Sequence, residues 1–493
     1  MTLHQSLVAH LLEHAESQHE KTALVCGQHR ISYGQLAVGA KSAAQWLSDV
    51  GVHRGDRVIL AASSSPSFVY GYFGTHILGG IALPVDPQIV DSRLNYIVNQ
   101  TAPAVVLLTR PYQSESIVSR HIDEIRHVAS ISLDLTPPDG NAIADILFTT
   151  GTTGRPKGVA LTHRSIKAAA QNINQFIGNG ADDVEVVPLP LSHSFGLGRM
   201  RCNVLAGGTM VLMNGFIPPG PLFHALQSYR ATGFSFVPAG WAVLHKLTGD
   251  KIGECADHLR YIEIGSAPMP MEHKLRLMEL LPGTRICMHY GLTEASRSAF
   301  IEFHDSSEFL TSVGRPTPNV GVAVVDDRGV PVPAGSPGEI VISGDTVMHS
   351  YWNDPEFTGA TLKNGYFYTG DLGFFDESGR LYLSGRQSEL INVGGLKVAP
   401  GDIDAALSRH PAVYECACLG VPDPNNLTGQ AIKAFLVCQP VVATRPSDAE
   451  LVMFLREKVQ AHEIPTVFEW VEEIPKSGSG KVQRQMLKTS VEK

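Results

Sequence analysis

Apolar positions recur along this chain in two periods, one helical and one extended. Leu7, Val8, Leu11, Leu12 and Ala15 share one face at helical spacing, which predicts an amphipathic opening helix. Ser42–Leu47 also reads as helix. Arg57–Ala61 (RVILA) and Ala104–Leu108 (AVVLL) are short apolar runs that predict strands, with a turn signal at Gly51-Val52-His53-Arg54-Gly55-Asp56. The alternation continues through Ala144–Phe148, Glu185–Pro188, Thr209–Leu212 and Tyr261–Gly265. Strands that alternate with helices predict an α/β sheet with crossover connections. From about residue 319 to 384 the texture changes to short β-type runs, Val320–Val325, Gly338–Ile342, Gly365–Tyr368 and Arg380–Leu383, an antiparallel or barrel-like piece. After Gly385-Arg386 the alternation resumes, from Gly401–Ser408 to Met486–Leu487.

Composition sets limits on this picture. With 493 residues, the length allows about three domains or two unequal ones. A hydrophobic fraction of 43% excludes a disordered chain, and a charged fraction of 18% with 47 glycines fits a large enzyme with much interior. The formal charge of −9 argues against a nucleic-acid partner, which needs a basic face. The opening segment has no cation ahead of an apolar stretch, so it is not read as a signal peptide. No run reaches the ~18 apolar residues of a membrane span. The seven cysteines are odd in number, scattered and without a CxxC pair, which predicts reduced thiols and a cytoplasmic protein. Asn426-Leu427-Thr428 is then no glycosylation site. His10-Leu11-Leu12-Glu13-His14 matches a zinc-peptidase pattern, but a catalytic zinc needs a third ligand and a cleft, so the amphipathic helix is preferred.

The chemistry concentrates after the strand Ala144–Phe148. There Thr149-Thr150-Gly151-Thr152-Thr153-Gly154-Arg155-Pro156-Lys157-Gly158 gathers hydroxyl donors, bare backbone N–H groups and two cations, which is what polyphosphate binding requires. A Walker A loop cannot be fitted here or at Gly478-Ser479-Gly480-Lys481-Val482, which excludes a P-loop kinase.

TTGTTGRPKG is followed in order by PLPLSHSFG (188–196), IGSAP (264–268), YGLTE (290–294), YTGDLG (368–373), GRQSELINVGG (385–395) and PKSGSGK (475–481). The set, with GVHRGDRV (51–58) before it, spans essentially the whole chain. It resembles the adenylate-forming family of acyl- and aryl-CoA synthetases, luciferases and peptide-synthetase adenylation domains. The resemblance implies an α/β fold in two parts. Residues 1–385 would form a large domain of α/β sheet subdomains plus a β-barrel-like piece. Residues 386–493 would form a small mobile α+β lid.

It also implies the reaction. A carboxylate is joined to the α-phosphate of ATP with loss of pyrophosphate, and the mixed anhydride passes to a thiol. The cofactors implied are ATP and Mg²⁺, with CoA or a carrier protein's phosphopantetheine as acceptor. By resemblance, Thr149, Thr150, Gly151, Thr152, Thr153 and Lys157 hold phosphates, Tyr290 with Gly291 stacks on adenine, and Gly265, Ser266 and Ala267 lie along the base. Thr293 would touch the α-phosphate and Glu294 would ligate Mg²⁺. Asp371 has the chemistry to accept both ribose hydroxyls, with Arg386 on the other side of the sugar. Lys481 would bridge the substrate carboxylate and α-phosphate. His193 would stand beside the acyl pocket and gate the thiol, a satisfied core histidine being the alternative. Gly394 and Gly395 would line the thiol tunnel, where bare backbone permits close approach. Ser388 departs from the family's usual Asp or Lys at the hinge.

Ser194 follows His193 where amino-acid-activating members place an Asp, which argues against an α-amino acid. Phe195, Val237, Gly240 and Trp241 suggest an apolar pocket, shortened by the indole to favour a medium-chain or aromatic acid. Trp241 as plain core is the competing reading. The sequence shows no carrier domain after Lys493, so a carrier protein would act in trans. Two further readings remain: oxidation of the adenylate, as in luciferases, and a non-catalytic relative, which should have lost Lys481, Glu294 or Asp371.

Overall fold

The computed structural model describes residues 6–112, 117–125, 137–149, 156–386, 389–393, 396–422, 430–440, 442, 444–459, 461–477, 480–484 and 486–487. The expected fold class is what forms. Two mixed sheets hold sixteen of the strands found among the described residues. The seven-stranded one runs Ser350–Tyr351, Lys157–Thr162, Ile143–Thr149, Ile81–Val85, Arg57–Ala61, Val105–Leu108 and Val118–His121. Arg57–Ala61 lies parallel to both its neighbours, and Val58, Ile59 and Leu60 are fully buried. A parallel strand covered on both faces has no solvent side, which is why these strands read as continuous apolar runs. Ile143–Thr149 and Lys157–Thr162 pair antiparallel, with Thr149 opposite Lys157.

The nine-stranded sheet has a parallel centre built from Thr22–Cys26, Thr209–Leu212, Val184–Val187, Gly233–Phe236, Tyr261–Ile264 and Arg285–Tyr290. Ala299–Glu302 turns back antiparallel along Arg285–Tyr290. The helix Ser194–Ala206 stops at Gly207, whose φ of 75° only glycine adopts cheaply. Its residues from Phe195 to Val204 are all buried, so it is packed on every side.

By compactness the chain divides into residues 1–322 with 342–367, and 323–341 with 368–493. The second unit thus begins ahead of Arg386 and takes in a stretch from the β-rich piece. There Tyr366–Phe375 runs antiparallel to Leu381–Arg386, with a bulge between Leu372 and Gly373. The YTGDLG segment is therefore strand, longer than the expected Gly365–Tyr368. A hairpin of Ile391–Val393 and Leu396–Val398 follows, then a three-stranded sheet of Val413–Pro422, Gln430–Cys438 and Val467–Trp470. Its core holds Ile403, Leu407, Cys418, Leu436 and Leu451.

Candidate functional site

In the larger unit, the strand Ile143–Thr149 delivers the chain into the Thr/Gly loop. Thr150, Gly151, Thr152 and Thr153 lie outside the described residues. Lys157, on the return strand, rests its ammonium 2.9 Å from the ring centroid of Phe357 and 5.7 Å from that of Tyr351. Burial lowers its pKa, and the carboxylates of Asp354 and Glu294 pull the other way. A cation held on aromatic faces keeps its charge without spending it on a fixed ion pair.

The YGLTE turn leaves the end of the strand Arg285–Tyr290. Leu292 and Ala295 exchange backbone hydrogen bonds across it, at 3.0 and 3.2 Å. Only glycine fits at 291, because a Cβ there would overlap the backbone of Arg297. Glu294 is held twice: its carbonyl accepts from the Met348 N–H at 2.7 Å, and its Oε1 accepts from the Tyr351 hydroxyl at 2.8 Å. Parallel pairing of Ile264 with Met288 brings the neighbouring Gly265 against His289, whose ring would overlap a Cβ at 265. Ser266 follows at φ 76°, so the backbone turns sharply before Ala267.

His193 caps the helix Ser194–Ala206 at its N-terminus without a side-chain bond to the helix. Its imidazole is 61% exposed, with Nε2 3.8 Å from Asp86, so it is not a core histidine. Phe195 is buried edge-on to His289 at 4.9 Å and beneath the guanidinium of Arg297 at 5.0 Å. Trp241, at 1% exposure, stacks on Phe236 and His245 within the core of the nine-stranded sheet. Val237 caps its helix, and Gly240 lies close against Phe216.

In the smaller unit, Asp371 and Arg386 are cross-strand partners, with Arg386 Nε 2.9 Å from Asp371 Oδ1. Asp371 is 7% exposed. The strand just ahead of it is fixed by the Thr369 hydroxyl, which donates to the Ile340 carbonyl at 2.7 Å, and by the Gly370 N–H, which donates to Glu339 at 3.0 Å. Lys481 sits at the exit of a tight turn: its N–H donates to the Ser477 hydroxyl at 3.2 Å and its carbonyl accepts from the Ser477 N–H at 2.8 Å. Gly394, Gly395 and Ser388 lie outside the described residues.

Comparison with known proteins decides what these parts belong to. The profile of the AMP-binding enzyme family matches residues 11–352, and that of the AMP-binding enzyme C-terminal domain matches 402–481. The chain belongs to the AMP-binding enzyme family. It is 29% identical to a feruloyl-CoA synthase of Amycolatopsis over 94% of each chain, and 30% identical to a sulfoacetate–CoA ligase of Cupriavidus necator over 93% of this chain and 92% of that one. The solved structure of o-succinylbenzoate coenzyme A synthetase from Bacillus subtilis, in complex with ATP and magnesium ion, superposes with a TM-score of 0.87. That pair is 26% identical, with 97% of this chain and 99% of the other covered.

This AMP-binding enzyme is an AMP-forming acid–thiol ligase. It joins a carboxylic acid to ATP, releasing pyrophosphate, and passes the acyl group to the thiol of CoA, releasing AMP. Mg²⁺ accompanies ATP. The donor set fits that ion, because Glu294 Oε2 is an anionic oxygen with no partner among the described residues. Mg²⁺ is commonly held by one or two carboxylates together with substrate phosphates. No helix among the described residues is long and apolar enough to cross a membrane.

The enzyme also carries two buried ionic networks that motif reading missed. Arg199 donates to both oxygens of Glu185 at 2.7 Å and to Glu263 at 2.9 Å. Glu263 also meets Arg297 at 3.2 Å and His289 at 2.7 Å. Burial alone would raise the Glu263 pKa, but Arg297 and Arg199 outweigh it and hold the carboxyl well below the usual range. In the other sheet, Asp145 accepts from Arg201, from the Tyr72 hydroxyl at 3.1 Å and from His76 at 3.1 Å. The sequence signal was present: a carboxylate inside each of three apolar strands, VEVV, YIEI and IADILFT. All seven cysteines are free thiols.

Proposed function

We propose that the enzyme activates an apolar or aromatic carboxylic acid that carries no α-ammonium, and delivers it to CoA itself. One observation carries this reading. The segment from Phe234 to Trp241, with Phe216 against Gly240, holds aromatic side chains and no carboxylate. Position 194 supports it, for a serine cannot balance an ammonium, and the Ser194 carbonyl is bonded instead by Arg297 at 3.4 Å. In this reading Phe195, Val237 and Gly240 line the pocket, with Trp241 behind them limiting its depth. The relatives bracket the choice, one a feruloyl-CoA synthase and one a sulfoacetate–CoA ligase.

The site residues take the following roles in the proposal. Thr149, the Thr/Gly loop and Lys157 receive the β- and γ-phosphates; Tyr290, Gly291 and Gly265–Ala267 receive adenine; Asp371 accepts the ribose hydroxyls beside Arg386. Thr293 steadies the α-phosphate and Glu294 offers the metal an oxygen. Mg²⁺, when bound, neutralises charge on the phosphates and the departing pyrophosphate. Lys481 supplies an ammonium on a long stem to the acid's carboxylate and the α-phosphate during the first half-reaction. Residues from Arg386 onward act as a lid whose hinge includes Ser388, placing Gly394 and Gly395 along the pantetheine arm in the second half-reaction. His193, exposed and unfixed by its helix, gates the thiol. The free thiols support a reducing, cytoplasmic setting.

The test is a panel of acids with ATP, reading AMP release with and without CoA. Aliphatic acids of medium length, ferulate and related aryl acids, sulfoacetate and α-amino acids make up the panel. The proposal expects CoA-dependent AMP release with an apolar or aryl acid. Strongest turnover with an α-amino acid, or adenylate that accumulates without passing to CoA, would overturn it. The latter result would favour a carrier protein as acceptor.

A further inference from the structure

We infer that Tyr351 is a positioning residue for the Mg²⁺–ATP half of the site, an inference that rests on reading Glu294 as the metal's carboxylate. Tyr351 lies outside the sequence segments that carry the family resemblance. The residue pairs with Val159 on the strand that returns from the phosphate loop, and Ser350 pairs with Ala160. The Trp352 N–H donates to the Gly158 carbonyl at 2.7 Å. On the other side of the same segment, Met348 bonds the Glu294 carbonyl at 2.7 Å and Val347 bridges to Ala295. One short stretch of chain is thus tied both to the phosphate-loop strand and to the turn that carries Glu294.

The Tyr351 side chain completes this arrangement. It is 6% exposed, and its hydroxyl donates to Glu294 Oε1 at 2.8 Å. Its ring packs against Phe357 at 4.7 Å, and Phe357 in turn carries the Lys157 ammonium. Phe357 is itself set by Asp354, which caps the helix Pro355–Thr361 by accepting from the Phe357 N–H at 3.0 Å. A glutamate at the tip of a turn has three side-chain torsions to fix. The phenol engages one carboxylate oxygen and leaves the other, Oε2, with no hydrogen-bond partner among the described residues. Outer partners of this kind orient a ligating carboxylate, and their loss typically costs about 10–100-fold in metal affinity.

The test is the binding of a non-hydrolysable ATP analogue by equilibrium dialysis, titrated with Mg²⁺, using the full chain. Tyr351→Phe keeps the ring and its packing and removes only the hydroxyl. The expected result is a Mg²⁺ midpoint raised by about 10–100-fold, with metal-free analogue binding and the thermal melting midpoint unchanged. Glu294→Gln is the control for the underlying reading. If Glu294→Gln shifts the Mg²⁺ midpoint and Tyr351→Phe leaves it at the wild-type value, the role given to Tyr351 is wrong while the reading of Glu294 stands. If neither variant shifts it, the reading of Glu294 falls and the inference with it. Equal loss of analogue binding with and without Mg²⁺ in Tyr351→Phe would show a merely structural role and overturn the inference.

Discussion

Arg199 and Arg201, two residues apart on one helix, are anchored to carboxylates of two different sheets. Arg199 reaches Glu185 and Glu263 of the nine-stranded sheet, and Arg201 reaches Asp145 of the seven-stranded sheet. Side chains two positions apart point roughly 200° apart around a helix, so the two guanidiniums leave opposite faces. The helix begins at Ser194, beside His193 and Phe195, while Asp145 lies on the strand that enters the Thr/Gly loop. One element therefore fixes His193 and Phe195 relative to the strand that enters the Thr/Gly loop.

The first prediction concerns that clamp. Removing one partner of a buried ion pair leaves the other charge uncompensated, which costs about 3–5 kcal/mol. Arg201→Met and Asp145→Asn should each lower the unfolding free energy by that amount in urea. Losses below about 1 kcal/mol would show that the network relaxes around a single deletion.

The second concerns acid. Burial, reinforced by His76, holds the His163 pKa down at about 3, against an ordinary value of 6.5. A neutral folded imidazole and a protonatable unfolded one mean that the unfolded state binds the extra proton between those values. The His163 contribution is therefore intact above pH 6.5 and declines as pH falls toward 3, by about 1.4 kcal/mol per unit. His163→Phe should flatten the stability–pH curve in that window; an unchanged slope between pH 6 and about 4 would contradict the assignment.

The third separates the half-reactions. Lys481→Ala should reduce acyl-adenylate formation by at least about 100-fold, the scale of losing one preorganised donor. Thioester formation from supplied acyl-adenylate should survive. Equal loss in both steps would remove Lys481 from the proposed role.

The fourth concerns ribose recognition. Asp371→Ala should raise the KM for ATP by roughly 10–100-fold, as expected for losing hydrogen bonds to a charged acceptor. The KM for the acid should change little. A kcat defect with unaltered ATP KM would place Asp371 elsewhere in the cycle.

The sequence was informative wherever the cause of a structure is local. Arg57–Ala61 was legible because a strand buried on both faces must be apolar throughout. The family was legible because segments such as YGLTE and YTGDLG recur in it with fixed neighbours. Tyr366–Phe375 was read short because its glycines and Asp371 resemble a turn, and only the ladder with Leu381–Arg386 makes them strand. Partners distant in sequence were invisible: Tyr351 is 57 positions from Glu294, and Arg199 is 64 from Glu263. Nothing in local spacing joins such pairs. The three strand carboxylates were the one available hint, since a charge at a buried position requires a counter-charge somewhere.

The free thiols have a consequence for an enzyme that makes an acylating agent. An acyl-adenylate reacts with whichever thiolate it meets, and only the ionised sulfur is a good nucleophile. Burial pushes Cys202 and Cys416 up to about 12 and Cys255 up to about 11, and raises Cys287 and Cys418 well above the usual thiol range. These five buried sulfurs are thereby kept protonated at neutral pH and shielded from the acylating agent that the enzyme makes.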